Sequence, residues 1–473
     1  MTNGFTHRVV ERYRRIEPWL VTPVDIAWLA AFRALFGLTL CVSMWRFIGY
    51  GWVDVLFVKP RFHFKYWGLS WVEPLSGPAM HTLFWVMSGL ALCVAAGVLY
   101  RFTSALLTAG LFYIQAVDVS NYLNHYYLAL LLSLLLTLSP AAHAASFDAR
   151  CGLCRRDANV SRAWLALFRF QVGVVYVFAG LAKAHADWLF HAQPLGIWLG
   201  ARDDLPWLGR LLALPHAALF MSWAGFLFDS CVVAFLSIAR TRAYAYAVVI
   251  VFHLLTRALF PIGMFPVIMV LSALVFFPPA WPRRWLAWFP GRALSPSPEA
   301  RRSGWVRAGY ALGAGYCALQ LLLPLRFLAY GGNVRWHEQG MRFSWRVMVR
   351  EKNGAVTFMV RNKASGHIFH VSPRRYLTGL QEREMSSQPD LIAQLARHIK
   401  ADFAARGLGD VEVRADAWVS LNGRAMTRMV DPSVDLSTVP DGLGKARWIL
   451  PAPTTAPPQL RVLGRQKLAL APS

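Results

Sequence analysis

Lys183 is a lone amine near the end of an apolar run, Ser161–Trp188 (SRAWLALFRFQVGVVYVFAGLAKAHADW), that is long enough to span a bilayer. Counted back along a helix, Gly180, Ala179, Tyr176 and Arg169 share its face. Small residues there admit a neighbouring helix or a flat ligand, and Tyr176 and Arg169 make the same face polar. An ionisable group inside a membrane segment is costly, so it points to function. The alternative is a snorkelling anchor paired with Asp187 one turn on.

Three further polar sets interrupt apolar runs. Asp118, Tyr122 and His125 stand four and three apart in Val117–Leu138, so a helix would carry them on one face. His125 alone reads as a hydrogen-bonded core histidine, and Asp118 beside it shifts the reading towards a site. In VFHLLTRALFPIGMFP, His253 and Arg257 lie one turn apart, just before a proline-broken element. Asp229, within LFMSWAGFLFDSCVVAFL, needs a positive partner, for which Arg33 and Arg169 are the candidates. No set has metal-ligand spacing, a phosphate loop or a serine elbow. Together they describe a cavity among helices, suited to a flat, apolar, oxidisable ligand.

The elements that must position these groups are membrane helices. The 473 residues are 56% hydrophobic and 16% charged, the balance of a polytopic membrane protein. Spans are expected near 24–48, 79–99, 102–119, 122–140, 161–184, 212–238, 243–259, 261–278 and 305–329, with Pro261 and Pro266 making the eighth either a span or a re-entrant element. The net charge of +24 sits mainly in short connections, which fits lipid headgroups and topology better than nucleic acid. Arg8–Arg15, Arg101, Arg150–Arg162, Arg240/Arg242 and Arg283–Arg307 fall on one, cytoplasmic, side if each span crosses once. The region after Gly331 then lies outside, in the periplasm of a bacterium. Two aromatic connections, Gly51–Gly77 and Leu195–Leu208, are placed to form a lid on that side.

The fold class is therefore a polytopic α-helical membrane domain of eight or nine spans or re-entrant elements followed by a soluble, β-rich α+β domain. The divisions expected are a basic start (1–23), the helical domain (24–330), the soluble domain (331–450) and a proline-rich tail (451–473). Phe343–Lys352 and Ala355–Lys363 read as a hairpin around Asn353-Gly354, and Asn422-Gly423 separates a second pair of β-rich runs. Gln388–Arg406 has helical spacing. No disulfide framework is visible, and Cys151 and Cys154 form an isolated CxxC with no histidines near them in sequence.

FRALFG (32–37), NHYYL (124–128), FRFQVGVVYVFAGLAKAHADWL (168–189), LFD (227–229), FHLLTRALFPIGMFP (252–266), WHEQGMRFSWRVM (336–348), WVSLNGR and VDPSVD (418–435) occur in one order. This set resembles the vitamin K-dependent gamma-glutamyl carboxylases and their bacterial relatives, the horizontally transferred transmembrane domain family. The resemblance implies an enzyme of carbon–carbon lyase type, in a bacterial inner membrane. It would oxidise reduced vitamin K or menaquinol with O2, without a metal, and add CO2 to glutamate in a peptide or protein. The implied partners are that substrate, the lipid quinol and membrane lipid, with no nucleic acid.

The resemblance also implies roles. Lys183 stands as the base for the hydroquinone, His125 at the carboxylation step and His253 as a further active-site histidine. Tyr176, Arg257, Tyr122 and Met264 are candidates for the quinone pocket; Trp336, Met341, Trp345, Met348 and Arg202 are candidates for the glutamate. An amine kept from water serves as a base more readily, and a dry cavity protects reactive intermediates. This holds if Asp187 faces away from Lys183. Departures are the lack of cysteines for the animal enzymes' disulfide, the end of the match soon after Pro451, and Ser433 where an arginine linked to propeptide binding is expected. Two other readings stay open: a quinol oxygenase with another acceptor, and a non-enzymatic membrane binding or immunity-type protein.

Overall fold

The computed structural model describes residues 17–202, 205–206, 208–212, 214, 216–284 and 304–458. The basic Arg8–Arg15 start, part of the Arg283–Arg307 connection and the tail beyond 458 lie outside the described residues. Nine helices occupy the nine apolar runs: α1 (Ala27–Gly49), α2 (Gly77–Ala96), α3 (Tyr100–Ala116), α4 (Asn124–Leu138), α5 (Arg162–Lys183), α6 (Ala217–Ser237), α7 (Arg242–Leu259), α8 (Phe265–Ala273) and α9 (Gly304–Leu325). Among the described residues, six helical stretches are long and apolar enough to cross a membrane. The proline-broken α8 is not one of them: its nine residues reach roughly 14 Å, half a bilayer core, so it resembles the re-entrant alternative.

Close approach of backbones organises the bundle. A Cβ on Gly37 of α1 would stand 2.7 Å from the Ala91 carbonyl of α2, and one on Gly180 of α5 would stand 2.7 Å from Ser230 Oγ of α6. Small residues are the means by which helices pack in lipid, where no hydrophobic force drives them together. Thr108 of α3 adds hydrogen bonds to Ser133 (2.8 Å) and Thr137 (3.0 Å) of α4. At one end of the bundle, β1 (Pro23–Asp25) pairs antiparallel with β2 (Asn159–Ser161).

Two arginines do not do what their position in apolar runs suggested. Arg33 donates to the carbonyls of Ala141, Ala144 and Ala145, and Arg169 to those of Val275, Phe276 and Phe277. Both thus satisfy backbone oxygens left open where helices end, and neither serves Asp229.

Asp118, Tyr122 and His125 do not share a helical face. The helix stops at Ala116, Asp118 accepts from Ser120 N to cap a 3-10 turn at Val119–Asn121, and Leu123 is extended before α4 begins. A short side chain that hydrogen-bonds its own backbone competes with the helix, which is why the apolar pattern breaks here.

The soluble domain is a four-stranded antiparallel sheet in the order β4-β3-β5-β6, formed by β3 (Lys352–Asn362), β4 (Ile368–Val371), β5 (Val411–Leu421) and β6 (Thr427–Arg428). Two helices accompany it, α10 (Gly379–Met385) and α11 (Pro389–Ala405). Val411, Val413, Ala415, Ala417, Val419 and Leu421 alternate inward from β5 and share a core with Leu391, Leu395, Ile399 and Phe403 of α11.

The expected hairpin around Asn353-Gly354 is absent. These residues lie inside β3, with Gly354 opposite Val419. A Cβ on Gly354 would meet the Ser386 carbonyl at 2.2 Å, so the glycine serves close approach rather than a turn. The run proposed as the first strand is irregular, with Phe343, Trp345 and Met348 all at positive φ. Asn422-Gly423 does turn the chain, since both residues are left-handed and β6 pairs back on β5.

The aromatic Gly51–Gly77 connection straps the two domains together. Lys65 N donates to Gln394 Oε1 and Gln394 Nε2 returns a bond to Lys65 O, both at 2.9 Å. Gln381 Nε2 bridges Phe62 O at 2.7 Å and Asp118 Oδ2 at 2.9 Å.

Candidate active site

α5 runs antiparallel to α6, and the Gly180–Ser230 approach sets their register. That register brings Lys183 beside Asp229, with Nζ 2.7 Å from Oδ2 and each residue 6% exposed. A buried ion pair of this kind is held by its geometry, and removing one member leaves a charge uncompensated. The Trp188 ring lies 5.3 Å from the amine and covers it. Trp188 is itself laced to α6 through its indole N–H on the Ser222 carbonyl at 2.8 Å.

About two turns earlier on α5, Tyr176 Oη lies 3.1 Å from His253 Nε2 on α7. His253 is 2% exposed, and its Nδ1 has no hydrogen-bond partner among the described residues. The two polar pairs line one cavity, whose remaining wall is apolar and aromatic, with Phe252, Phe260, Phe265 and Trp198 prominent. The short helix Leu195–Gly200 supplies Leu195 and Trp198 to this wall. It is therefore the part of the expected lid that covers the cavity. Trp198 Nε1 donates to Glu351 Oε2 at 2.6 Å, and Val347 and Met348 close the same side. The soluble domain thus contributes to the cavity directly.

A large apolar cavity with a few convergent polar groups at one edge is the usual form of a small-molecule site. Its aromatic walls suit a flat, apolar ring. The amine–carboxylate pair, the phenol and the unpartnered imidazole nitrogen are the groups that would meet the ring's oxygen substituents.

Lys183, Tyr176, His253 and Met348 are brought together in this cavity. His125 and Met264 line a smaller neighbouring space instead. Phe265 stands between the histidines, its ring centroid 6.3 Å from His125 and 5.9 Å from His253. Tyr122 sits at the domain junction and accepts from Phe343 N at 2.8 Å. Arg257 is exposed and donates to the Gly263 carbonyl at 3.4 Å.

The glutamate candidates divide similarly. Trp345 is fully buried and stacks on Tyr127 at 4.9 Å. Trp336 belongs to the sheet's core and donates to the Leu450 carbonyl at 2.8 Å. Met341 is half-buried in the turn closed by the Ser344 hydroxyl, and Arg202 donates to the Ala258 carbonyl at 3.4 Å. None of these four lines the cavity.

Asp187 turns away from Lys183. Its carboxylate receives Arg424 at 2.7 and 2.8 Å and Asn422 Nδ2 at 2.8 Å. Burial pushes this carboxyl up, but the hydrogen bonds from Arg424 and Asn422 and the Arg424 charge outweigh it and hold it at about 2. Reading the sequence missed Asp229 as the partner of Lys183, along with Trp188, Trp198 and Val347. For Asp229 a signal existed: on antiparallel neighbouring helices the amine and the carboxylate sit at comparable depth.

The family model described as HTTM domain matches residues 21–281. The model described as vitamin K-dependent gamma-carboxylase, lumenal domain, matches residues 306–455. No solved structure matches the chain.

Proposed function

The chain belongs to the HTTM domain family and continues into a gamma-carboxylase lumenal domain, and from that premise we propose that it is a hydroquinone-dependent gamma-glutamyl carboxylase. It acts on glutamate in a peptide or protein and uses reduced vitamin K or menaquinol, O2 and CO2. The observation that carries this reading is the buried Lys183–Asp229 pair and the Tyr176–His253 pair lining one apolar cavity.

Lys183, Tyr176 and His253 would hold the hydroquinone, which together with O2 would supply the strong base needed to remove a glutamate γ-proton. The chain's own residues do the rest. Lys183 and Asp229 act as one acid–base unit: the ammonium passes a proton to the Asp229 carboxylate, and the freed amine takes the hydroxyl proton at Nζ. Such positioned proton transfer contributes about 10²–10⁴-fold. Tyr176 and His253 orient the ring from further along the same cavity. Trp188, Val347 and Met348 exclude water, which would quench both the base and the carbanion. We place the enzyme in a bacterial inner membrane with its N-terminus cytoplasmic and its C-terminal domain extracytoplasmic. The arginine-bearing connections and the lumenal character of the matched domain support that orientation.

The test is an assay of the purified protein with reduced vitamin K, ¹⁴CO2 and a glutamyl peptide. Epoxide and fixed CO2 are both expected, and both are lost in Lys183→Ala; unchanged activity in that variant overturns the assignment. The separation of His125 from the Lys183 cavity favours a second reading, a quinol oxygenase with another acceptor. Epoxide formed without glutamate-dependent CO2 fixation would select it.

A further inference from the structure

Beside the cavity, three donors lack acceptors. Arg335, on the short helix Val334–His337, and Arg346, next to the cavity-lining Val347, each have a buried Nε with no hydrogen-bond partner. Neither guanidinium makes an ion pair among the described residues, although Arg346 lies over the Phe327 ring at 4.1 Å. The third donor is His185, two residues beyond Lys183. Its Nδ1 accepts the Trp188 N–H at 3.2 Å, which leaves the proton on Nε2. That Nε2 is buried and unpartnered.

The three groups form one cluster. The charges of Arg335 and Arg346 both act on His185, and that of Arg335 acts on Arg346. Two half-buried guanidiniums in each other's field, each with a buried Nε left without an acceptor, favour a counter-charge. Among the described residues, Asp187 is the carboxylate whose charge reaches Arg335 and His185, but its hydrogen bonds go to Arg424 and Asn422, and Glu338 is paired with Lys352 and Arg350, each at 2.9 Å. An anion from outside the chain is what the cluster lacks.

We propose that Arg335, Arg346 and His185 form a carboxylate-binding site beside the cavity that holds the paired carboxylates of a malonate-type side chain. Planar guanidiniums grip carboxylates two oxygens at a time, and two of them match a geminal dicarboxylate in number and charge. The neutral His185 N–H adds one directional donor. That such a side chain is the product made in the adjoining cavity rests on the function proposed above; the binding itself does not.

The test is titration of malonate, acetate and inorganic phosphate into the detergent-solubilised full chain by calorimetry. Malonate is expected to bind at least about tenfold more tightly than either of the others, as bidentate pairing requires. Arg335→Gln and Arg346→Gln should each weaken malonate by about tenfold or more, and Arg346→Lys should keep the fold and part of the affinity. Equal binding of phosphate or acetate, or wild-type malonate affinity in the double glutamine variant, overturns the site. Malonate binding without CO2 fixation retains this site while overturning the carboxylase reading.

Discussion

Lys183 of α5 and Asp229 of α6 are joined by a 2.7 Å ion pair at which both side chains are 8% exposed. The pair gives the cavity its only charged edge among the described lining residues. It also carries two roles, holding helices together and moving a proton, and these separate by experiment. Asp229→Ala alone should cost about 3–5 kcal/mol of stability, since it strands the amine. Lys183→Met combined with Asp229→Leu should recover most of that loss in thermal unfolding while restoring no epoxide formation. Recovery of activity in the double variant would mean that the pair is structural only.

Gly180 sets the distance between those helices. A Cβ there meets Ser230 Oγ at 2.7 Å and Ser230 N at 3.0 Å, so Gly180→Ala should push α5 from α6 and cost about 1–3 kcal/mol. Because Lys183 and Asp229 then part, turnover should fall although every polar group remains. A melting temperature and turnover equal to wild type would show that the approach tolerates a methyl group.

Asp187 ties the segment after Lys183 to the soluble domain through Arg424 and Asn422. Its folded carboxyl is held at about 2 against an ordinary 3.8, so its contribution is fully present above about 4 and is lost as pH falls towards 2. Acid titration followed by hydrogen exchange around Asn422–Arg424 should show release of this contact in that window. In Asp187→Asn the contact should be weaker at neutral pH and the acid step absent. An unchanged acid step would place the titration on another group.

His253 faces the cavity and His125 its neighbour, with Phe265 between. His253→Ala should lower epoxide formation and CO2 fixation together, by about 10²-fold or more. His125→Ala should lower CO2 fixation much more than epoxide formation. Parallel loss of both products in His125→Ala would remove the division of labour.

Gly354→Ala tests the sheet. The strand passes so close under Ser386 that an added Cβ would stand 2.2 Å from its carbonyl oxygen, so this change should destabilise the soluble domain by about 1–3 kcal/mol. A residue in a two-residue hairpin turn would respond through its left-handed φ instead, and Gly423→Ala supplies that comparison, as Gly423 has φ +78°.

What the sequence determined by itself was whatever depends on local pattern. Apolar runs placed eight helices close to their observed bounds, because a membrane helix satisfies its own backbone and needs only length and hydrophobicity, while the run 261–278 holds only the short α8. Val411–Leu421 and its Asn-Gly turn were legible for the same reason, as were the lone amine at Lys183 and the histidines at 125 and 253. Tertiary structure decided the pairings. Asp229 finds Lys183 rather than Arg33 or Arg169, because helix ends claim both arginines with open carbonyls. Asp187 is taken by Arg424, more than two hundred residues away, and Asn353-Gly354 runs straight because Ser386 lies over it. A charge in an apolar run announces that a partner exists; which partner depends on the register and depth of packed helices, which no local spacing encodes.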